Sequence, residues 1–218
     1  MAPLGILPQN LKHLVAGHIR QAIFSGQLRP GQKIDQEALA VATGVSKLPV
    51  REALIALEGE ALVQNVPRRG YFVARLTPDD IMDHYRLIGL VAGLAARRAT
   101  VLADDEVLVQ LNTTLDELER EDDKAAQEHL NYEFHRRINS LGGSRRLHSA
   151  LRLLTNTMPS RFYELTPEWA KIAGPQHRRI LDAIQNRDPD ETDLATVDHI
   201  SSGGEVVVQH LTEIHFWD

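Results

Sequence analysis

Between Gln9 and Ser25 the apolar residues Leu11, Leu14, Val15, Ile19, Ala22 and Ile23 recur at intervals of three and four, the spacing that gathers them on one face of a helix. Gly26 and the stretch Leu28-Arg29-Pro30-Gly31 close that helix with a turn. A second, shorter helix is predicted over Gln36–Thr43, with Asp35 as its N-cap and Ala38, Leu39 and Val41 facing inward. Thr43-Gly44-Val45-Ser46 then makes a tight turn, because glycine takes the positive φ that a side chain resists. A third helix follows over about Ser46–Glu60. Ser46 is placed to cap it, and Pro49 sits in its first turn, where a missing N–H costs little. Beyond it, Leu62–Val66 and Tyr71–Arg75 read as short strands joined by the turn Pro67-Arg68-Arg69-Gly70.

From Thr77 onward the period is helical throughout. Thr77-Pro78-Asp79-Asp80 opens a helix, with Thr77 as N-cap, Pro78 in the first position and two carboxylates in the electropositive first turn. Helical segments at about 78–100, 103–121, 123–141, 144–165, 168–186 and 189–212 are divided by Gly142-Gly143, Thr166-Pro167 and Asn186-Arg187-Asp188-Pro189. Ser201-Ser202-Gly203-Gly204 interrupts the last of them, since each glycine costs a helix about 1 kcal/mol relative to alanine. The expected fold class is mainly α, in two domains. Residues 1–76 follow the order helix, helix, tight turn, helix, hairpin, which is that of a winged helix-turn-helix; residues 77–218 form an all-helical bundle.

Charge separates along the same line. The net charge is −6, yet residues 1–76 hold nine Lys and Arg against five Asp and Glu, so a basic head precedes an acidic body. That distribution fits a DNA-binding head on a regulatory domain. The chain has no cysteine, which excludes disulfides, thiolate metal sites and cysteine nucleophiles and agrees with a cytoplasmic location. Neither a secretory signal pattern nor an apolar run of membrane-spanning length is present.

The run Ala40-Val41-Ala42-Thr43-Gly44-Val45-Ser46-Lys47-Leu48-Pro49-Val50-Arg51-Glu52-Ala53-Leu54, continued by Leu57-Glu58-Gly59-Glu60-Ala61-Leu62-Val63 and Arg69-Gly70-Tyr71-Phe72-Val73, resembles the GntR family of bacterial transcription regulators. The family usually reads Ser-Arg-Thr-Pro-Val-Arg-Glu-Ala-Leu at the recognition helix. Here Lys47 and Leu48 replace the Arg-Thr pair, so the bidentate fork that suits guanine is lost and an apolar contact for a thymine methyl is gained. An arginine that contacts DNA in some members is Glu37 in this chain. The resemblance implies double-stranded DNA as partner, in the form of a short palindromic operator of shifted sequence. Arg51 and Lys47 are the first candidates for contact, Ser46 and Leu48 lie beside them, and Arg68, Arg69 and Gly70 form a wing tip against phosphate.

The second half resembles the FCD ligand-binding domain of the FadR subfamily within that family. The matching pieces are Asn131-Tyr132-Glu133-Phe134-His135-Arg136-Arg137-Ile138, Gln176-His177-Arg178-Arg179-Ile180-Leu181-Asp182-Ala183-Ile184 and Val197-Asp198-His199. Asn131 and His135 are one turn apart on one helix face, and His177 shares its face with Ile180, Leu181 and Ile184. His199 lies three and four residues from Thr196 and Ala195. Three imidazoles on three inward faces can converge on one divalent ion such as Zn²⁺, Ni²⁺ or Mn²⁺. The resemblance implies Asn131, His135, His177 and His199 as ligands, the first of them usually aspartate. His13, His18, His84, His129, His148, His210 and His215 are read as surface or packing residues.

The resemblance further implies a homodimeric regulator, by family habit a repressor, whose operator affinity responds to a small organic acid bound near the metal. The first helix of the domain usually carries Arg and Glu four residues apart. Here Ile88 and Ala92 take those places, so either the pair packs or the pocket has lost a polar anchor. Two other readings stand beside this one: a metal-free regulator of the same fold, and a metal-dependent hydrolase with water activated at an open metal position. Against the hydrolase, no general base is spaced beside these ligands, and no phosphate-cradling glycine loop or serine elbow occurs.

Overall fold

Local signals place the elements of the head. In the computed structural model, which describes residues 8–157, 162–166 and 168–217, the first helix is α1 (Pro8–Phe24). The Asp35 carboxylate accepts hydrogen bonds from the backbone N–H groups of Glu37 and Ala38 and so caps α2 (Gln36–Thr43). Gly44 ends that helix in the left-handed conformation, φ +66°. Ser46 occupies the N-cap of α3 (Lys47–Gly59) with extended backbone, but its hydroxyl makes no capping hydrogen bond. Two antiparallel strands follow, β1 (Val63–Val66) and β2 (Gly70–Val73), in the register Val63↔Val73 to Val66↔Gly70. Arg68 and Gly70 take positive φ, 62° and 94°, to turn the chain between them. The second strand therefore begins at Gly70 and ends at Val73, short of the predicted Arg75.

The core of this unit is the seam of α1 and α3. Val15, Ile19 and Ile23 from the first helix, with Val50, Ala53, Leu54 and Leu57 from the third, are almost wholly removed from solvent. Arg20 and Glu60 close one flank with a bidentate ion pair, Nη2 to Oε2 at 2.8 Å. The predicted inward face of α2 is rotated: Ala38 is exposed and Val41 is 83% exposed, while Leu39 and Ala40 are half-buried. An eight-residue helix packed along α3 has room to bury only a narrow stripe, and Leu39–Ala40 is that stripe. Leu14 is likewise exposed rather than part of the core.

The chain divides into two compact units, residues Met1–Thr77 together with Leu211–Asp218, and Pro78–His210. The last segment thus groups with the head. Leu211 and Phe216 are fully buried, and Arg29 Nη1 donates to the backbone carbonyls of Ile214 and His215 at 2.9 and 2.8 Å.

The second unit is wholly helical among the described residues. Its elements are α4 (Pro78–Leu102), α5 (Asp105–Arg120), α6 (Lys124–Gly142), α7 (Arg145–Thr155), α8 (Phe162–Leu165), α9 (Trp169–Gln185) and α10 (Pro189–Glu213). The long helix expected over 144–165 is broken after Thr155 into α7 and α8, with Asn156 and Thr157 in a turn. Small residues let the others approach closely. A Cβ at Gly142 would strike the backbone of α4 at Ala95 and Ala99, so only glycine permits that crossing. Ala96, Ala99, Leu111, Leu115, Phe134, Ile138, Ile180, Leu181 and Ile184 make one core from α4, α5, α6 and α9. Among the described residues, no helix is long and apolar enough to cross a membrane.

Candidate functional site

On the head, α3 separates its residues cleanly. Pro49, Val50, Ala53 and Leu54 face the core, whereas Ser46, Lys47, Leu48 and Arg51 lie exposed at its N-terminal end. Leu48 is 65% exposed, an apolar side chain with no core to join. Lys47 Nζ forms an ion pair with Glu37 Oε1 of α2. Arg68 and Arg69 are exposed at the hairpin tip, and the Arg69 guanidinium stands over the Phe72 ring, 5.3 Å from its centroid. Every head residue singled out from the sequence therefore reaches solvent, from α3 or from the hairpin.

In the bundle, His135 from α6, His177 from α9 and His199 from α10 converge. His135 Nε2 lies 3.1 Å from His199 Nε2 and 3.3 Å from His177 Nε2. Tetrahedral Zn²⁺ with Zn–N near 2.0–2.1 Å needs ligand nitrogens about 3.3–3.4 Å apart, so this spacing already suits a shared ion. His177 and His199 are fully buried, and Phe134 and Trp169 wall the cluster with ring contacts. Loss of solvent pushes His135 down to about 4. It also takes His177 and His199 well below their ordinary value, with the neighbouring imidazoles adding to the effect. Neutral imidazole is the ligating form.

Asn131 lies one turn before His135 on α6, and its Oδ1 is buried with no hydrogen-bond partner among the described residues. His177 Nδ1 is in the same condition. Three converging imidazole nitrogens, with an orphaned carbonyl oxygen one turn before the first of them, are a donor set that fits a divalent cation. Pro175 stands inside α9 two residues before His177, where its missing N–H removes one rung of the helix ladder.

Ile88 and Ala92 are buried against Leu151, with Val91, Leu154 and Ile200 around them, so the pair packs. Beside His177 a cavity of about 130 Å³ is lined by Leu115, Leu118, Gln127, Tyr163, Ala173 and Glu119. Arg178, next to His177 on α9, is engaged by Glu119, Asp116 and Asn112. Among the remaining histidines, His84 Nε2 bonds the Leu154 carbonyl and Thr157 Oγ1, and His148 Nε2 bonds the Asn139 carbonyl; both serve packing.

Sequence reasoning missed Gln176. Its Oε1 sits 3.0 Å from His199 Nδ1, while its Nε2 donates to Ser202 Oγ at 3.1 Å. The signal was there, since Gln176 immediately precedes His177 and Ser202 falls three residues after His199.

A winged head followed by a helical bundle with a buried histidine triad defines a helix-turn-helix transcriptional regulator of bacterial type. Residues 11–73 match the family of bacterial regulatory proteins, gntR family, and residues 83–202 match the FCD domain. The chain belongs to the GntR family, in its FadR-like subfamily with a C-terminal FCD domain. It is similar to an HTH-type transcriptional regulator of Mycobacterium tuberculosis (strain H37Rv), 29% identical over 85% of this chain and 76% of that one. It is also similar to the HTH-type transcriptional repressor RspR of Escherichia coli K12, 25% identical over 91% and 90%. Among solved structures, a GntR family regulator from Pseudomonas syringae pv. tomato is 27% identical, with a TM-score of 0.59 over 95% of this chain and 88% of that one. The protein is thus a transcriptional regulator and not an enzyme.

Proposed function

We propose that this regulator is a cytoplasmic homodimeric repressor that binds a short palindromic DNA operator and holds a divalent metal ion in its bundle, where a small carboxylate effector modulates its affinity for DNA. The observation that carries the sensor half is the convergence of three imidazole nitrogens from α6, α9 and α10 in the bundle interior. Asn131, His135, His177 and His199 would hold the ion. It would supply a Lewis-acid centre able to receive a carboxylate oxygen. The adjoining cavity of about 130 Å³ suits a ligand of only a few heavy atoms. Arg178 is engaged by Glu119 and Asp116, so the metal would serve as the positive partner for such an anion.

On the DNA side, Arg51 and Lys47 would meet base edges or phosphates in the major groove, with Ser46 and Leu48 beside them, and Arg68, Arg69 and Gly70 would follow the backbone at the wing. Two heads related by a twofold axis match the symmetry of a palindrome. α4 exposes Leu87, Leu90, Leu94 and Val101 along one face, a stripe that a second copy would cover. Effector binding then shifts the population between dimer arrangements of differing operator affinity; a few kcal/mol of differential binding is enough.

The test is an in vitro selection of bound DNA, run with chelator-stripped and metal-loaded protein and with Arg51→Ala. A short palindrome enriched by the wild type and lost in the variant is expected, its affinity changing when metal and short carboxylates are supplied together. Enrichment no better than random DNA under every loading would overturn the operator reading. Equal operator affinity with and without metal and acids would overturn the sensor reading.

A further inference from the structure

The hydrogen bonds behind His199 form a one-way chain. Ser202 has a single hydroxyl proton, and the Asp198 carbonyl, 2.9 Å from its oxygen, can only accept it. Toward Gln176 the same oxygen must therefore accept, and it does so from Nε2 at 3.1 Å. That orientation leaves Gln176 Oε1, an acceptor only, facing His199 Nδ1 at 3.0 Å. His199 Nδ1 thus carries the imidazole proton, and Nε2, the atom that meets His135 Nε2, presents a lone pair.

We propose that Gln176 and Ser202 are positioning residues of the metal centre: they fix the tautomer and tilt of His199 and so set the affinity of the site for its ion. The proposal rests on the metal reading given above. His177 Nδ1 has no partner among the described residues, so His199 is the ligand whose outer nitrogen is visibly held. Groups that orient a metal-binding imidazole in this way are commonly carboxylates or backbone carbonyls, and their loss lowers metal affinity about 10–100-fold. A neutral glutamine does the same orienting work without adding negative charge. The arrangement also gives the Ser201-Ser202-Gly203-Gly204 run a purpose. Ser202 ends the hydrogen-bond chain, and a Cβ at Gly204 would come within 2.8 Å of the Tyr85 Cβ.

The experiment uses the full chain, purified without a histidine tag and stripped with chelator. Zn²⁺ affinity is read by competition with a chromophoric chelator, and Co²⁺ is read through its visible absorption. Gln176→Leu is expected to weaken Zn²⁺ binding about 10–100-fold and to alter the Co²⁺ bands, with the melting temperature of the stripped protein little changed. Gln176→Glu, which keeps the acceptor, is expected to restore or exceed wild-type affinity, and Ser202→Ala to fall between. Wild-type affinity in Gln176→Leu overturns the positioning role alone. Failure of the wild type to bind either ion overturns the metal reading and this inference with it. Nitrogen NMR of the stripped wild type is an independent check: His199 protonated on Nδ1 is expected, and protonation on Nε2 overturns the proposal even if a variant fails to fold.

Discussion

The Arg29 guanidinium donates to the backbone carbonyl of Ile214, 2.9 Å away across 185 residues of sequence. A second bond, to the His215 carbonyl at 2.8 Å, makes the grip two-pronged, and fully buried Phe216 follows directly. Residues 211–216 are thus a part of the head's structure. Phe216→Ala is expected to destabilise the protein by about 3–5 kcal/mol, as for other fully buried phenylalanines, and Arg29→Ala by about 1–3 kcal/mol. Urea denaturation checks both. Wild-type stability in Phe216→Ala would mean the segment contributes nothing to the fold.

That docking was not legible in the sequence, and the reason is physical. Periodicity reports which face of a helix is buried, but not what buries it. Leu211 and Phe216 read equally well as the end of a bundle helix, which is how the domain boundaries 1–76 and 77–218 treat them. The elements themselves were legible where local chemistry fixes them, as at the Asp35 cap and the Gly44 turn. The histidine triad was legible because three motifs placed His135, His177 and His199 on inward faces. Gln176 was not, since its role depends on the crossing of α9 and α10.

The glycines of α10 were misread for a related reason. Propensity makes Gly203 and Gly204 an interruption, yet the helix runs unbroken from Pro189 to Glu213 because Tyr85 and Trp169 pack into the space they leave. Tertiary fit overrides propensity here. Gly204→Ala should therefore cost about 1–3 kcal/mol by overpacking instead of gaining the ~1 kcal/mol that helix propensity alone promises. Thermal melting decides the sign, and a stabilised variant would contradict the packing account.

Lys47 is ion-paired with Glu37, both side chains being largely exposed. Removing the acid frees the ammonium and subtracts a charge that repels phosphate. Glu37→Ala should then tighten binding to non-specific duplex DNA several-fold at low salt, and the gain should fade as salt rises. At the wing, Arg68→Ala and Arg69→Ala should each reduce the slope of log affinity against log salt by about 1. Fluorescence anisotropy titrations at several salt concentrations measure all three. Unchanged slopes in both arginine variants would place the hairpin tip away from the phosphates.

Leu90 and Leu94 lie on one face of α4, 60% and 39% exposed, with Leu87 before them and Val101 beyond. If this stripe joins two copies, the double substitution Leu90→Glu, Leu94→Glu places four buried, unpaired carboxylates in a symmetric interface, which costs far more than a dimer can sustain. Light scattering after gel filtration should show a monomer, with operator affinity reduced at least tenfold. A dimeric double variant would move the interface to another face.

Acidification should unfold the metal-free protein well before its carboxylates titrate. In the unfolded chain a histidine takes up its proton near 6.5, whereas burial holds His135 to about 4 and keeps His177 and His199 well below their ordinary value. Burial depresses His84 as well. Between pH 6.5 and 4 the unfolded state therefore binds more protons than the folded one, and stability falls as pH falls. The contribution is fully present above 6.5. For His135 alone the drop from 6.5 to about 4 is worth roughly 3 kcal/mol. The acidic groups held low by hydrogen bonds, Asp35, Asp116, Glu119 and Glu133, begin to act only at the acid end of this window and below it. Urea midpoints of chelator-stripped protein at pH 7.5, 6 and 5 should decline in that order. His135→Gln, which removes one titrating ring, should shallow the decline. A flat profile from 7.5 to 5 would mean that the three rings take up protons in the folded protein as readily as in the unfolded chain, and so that burial does not hold them neutral below 6.5.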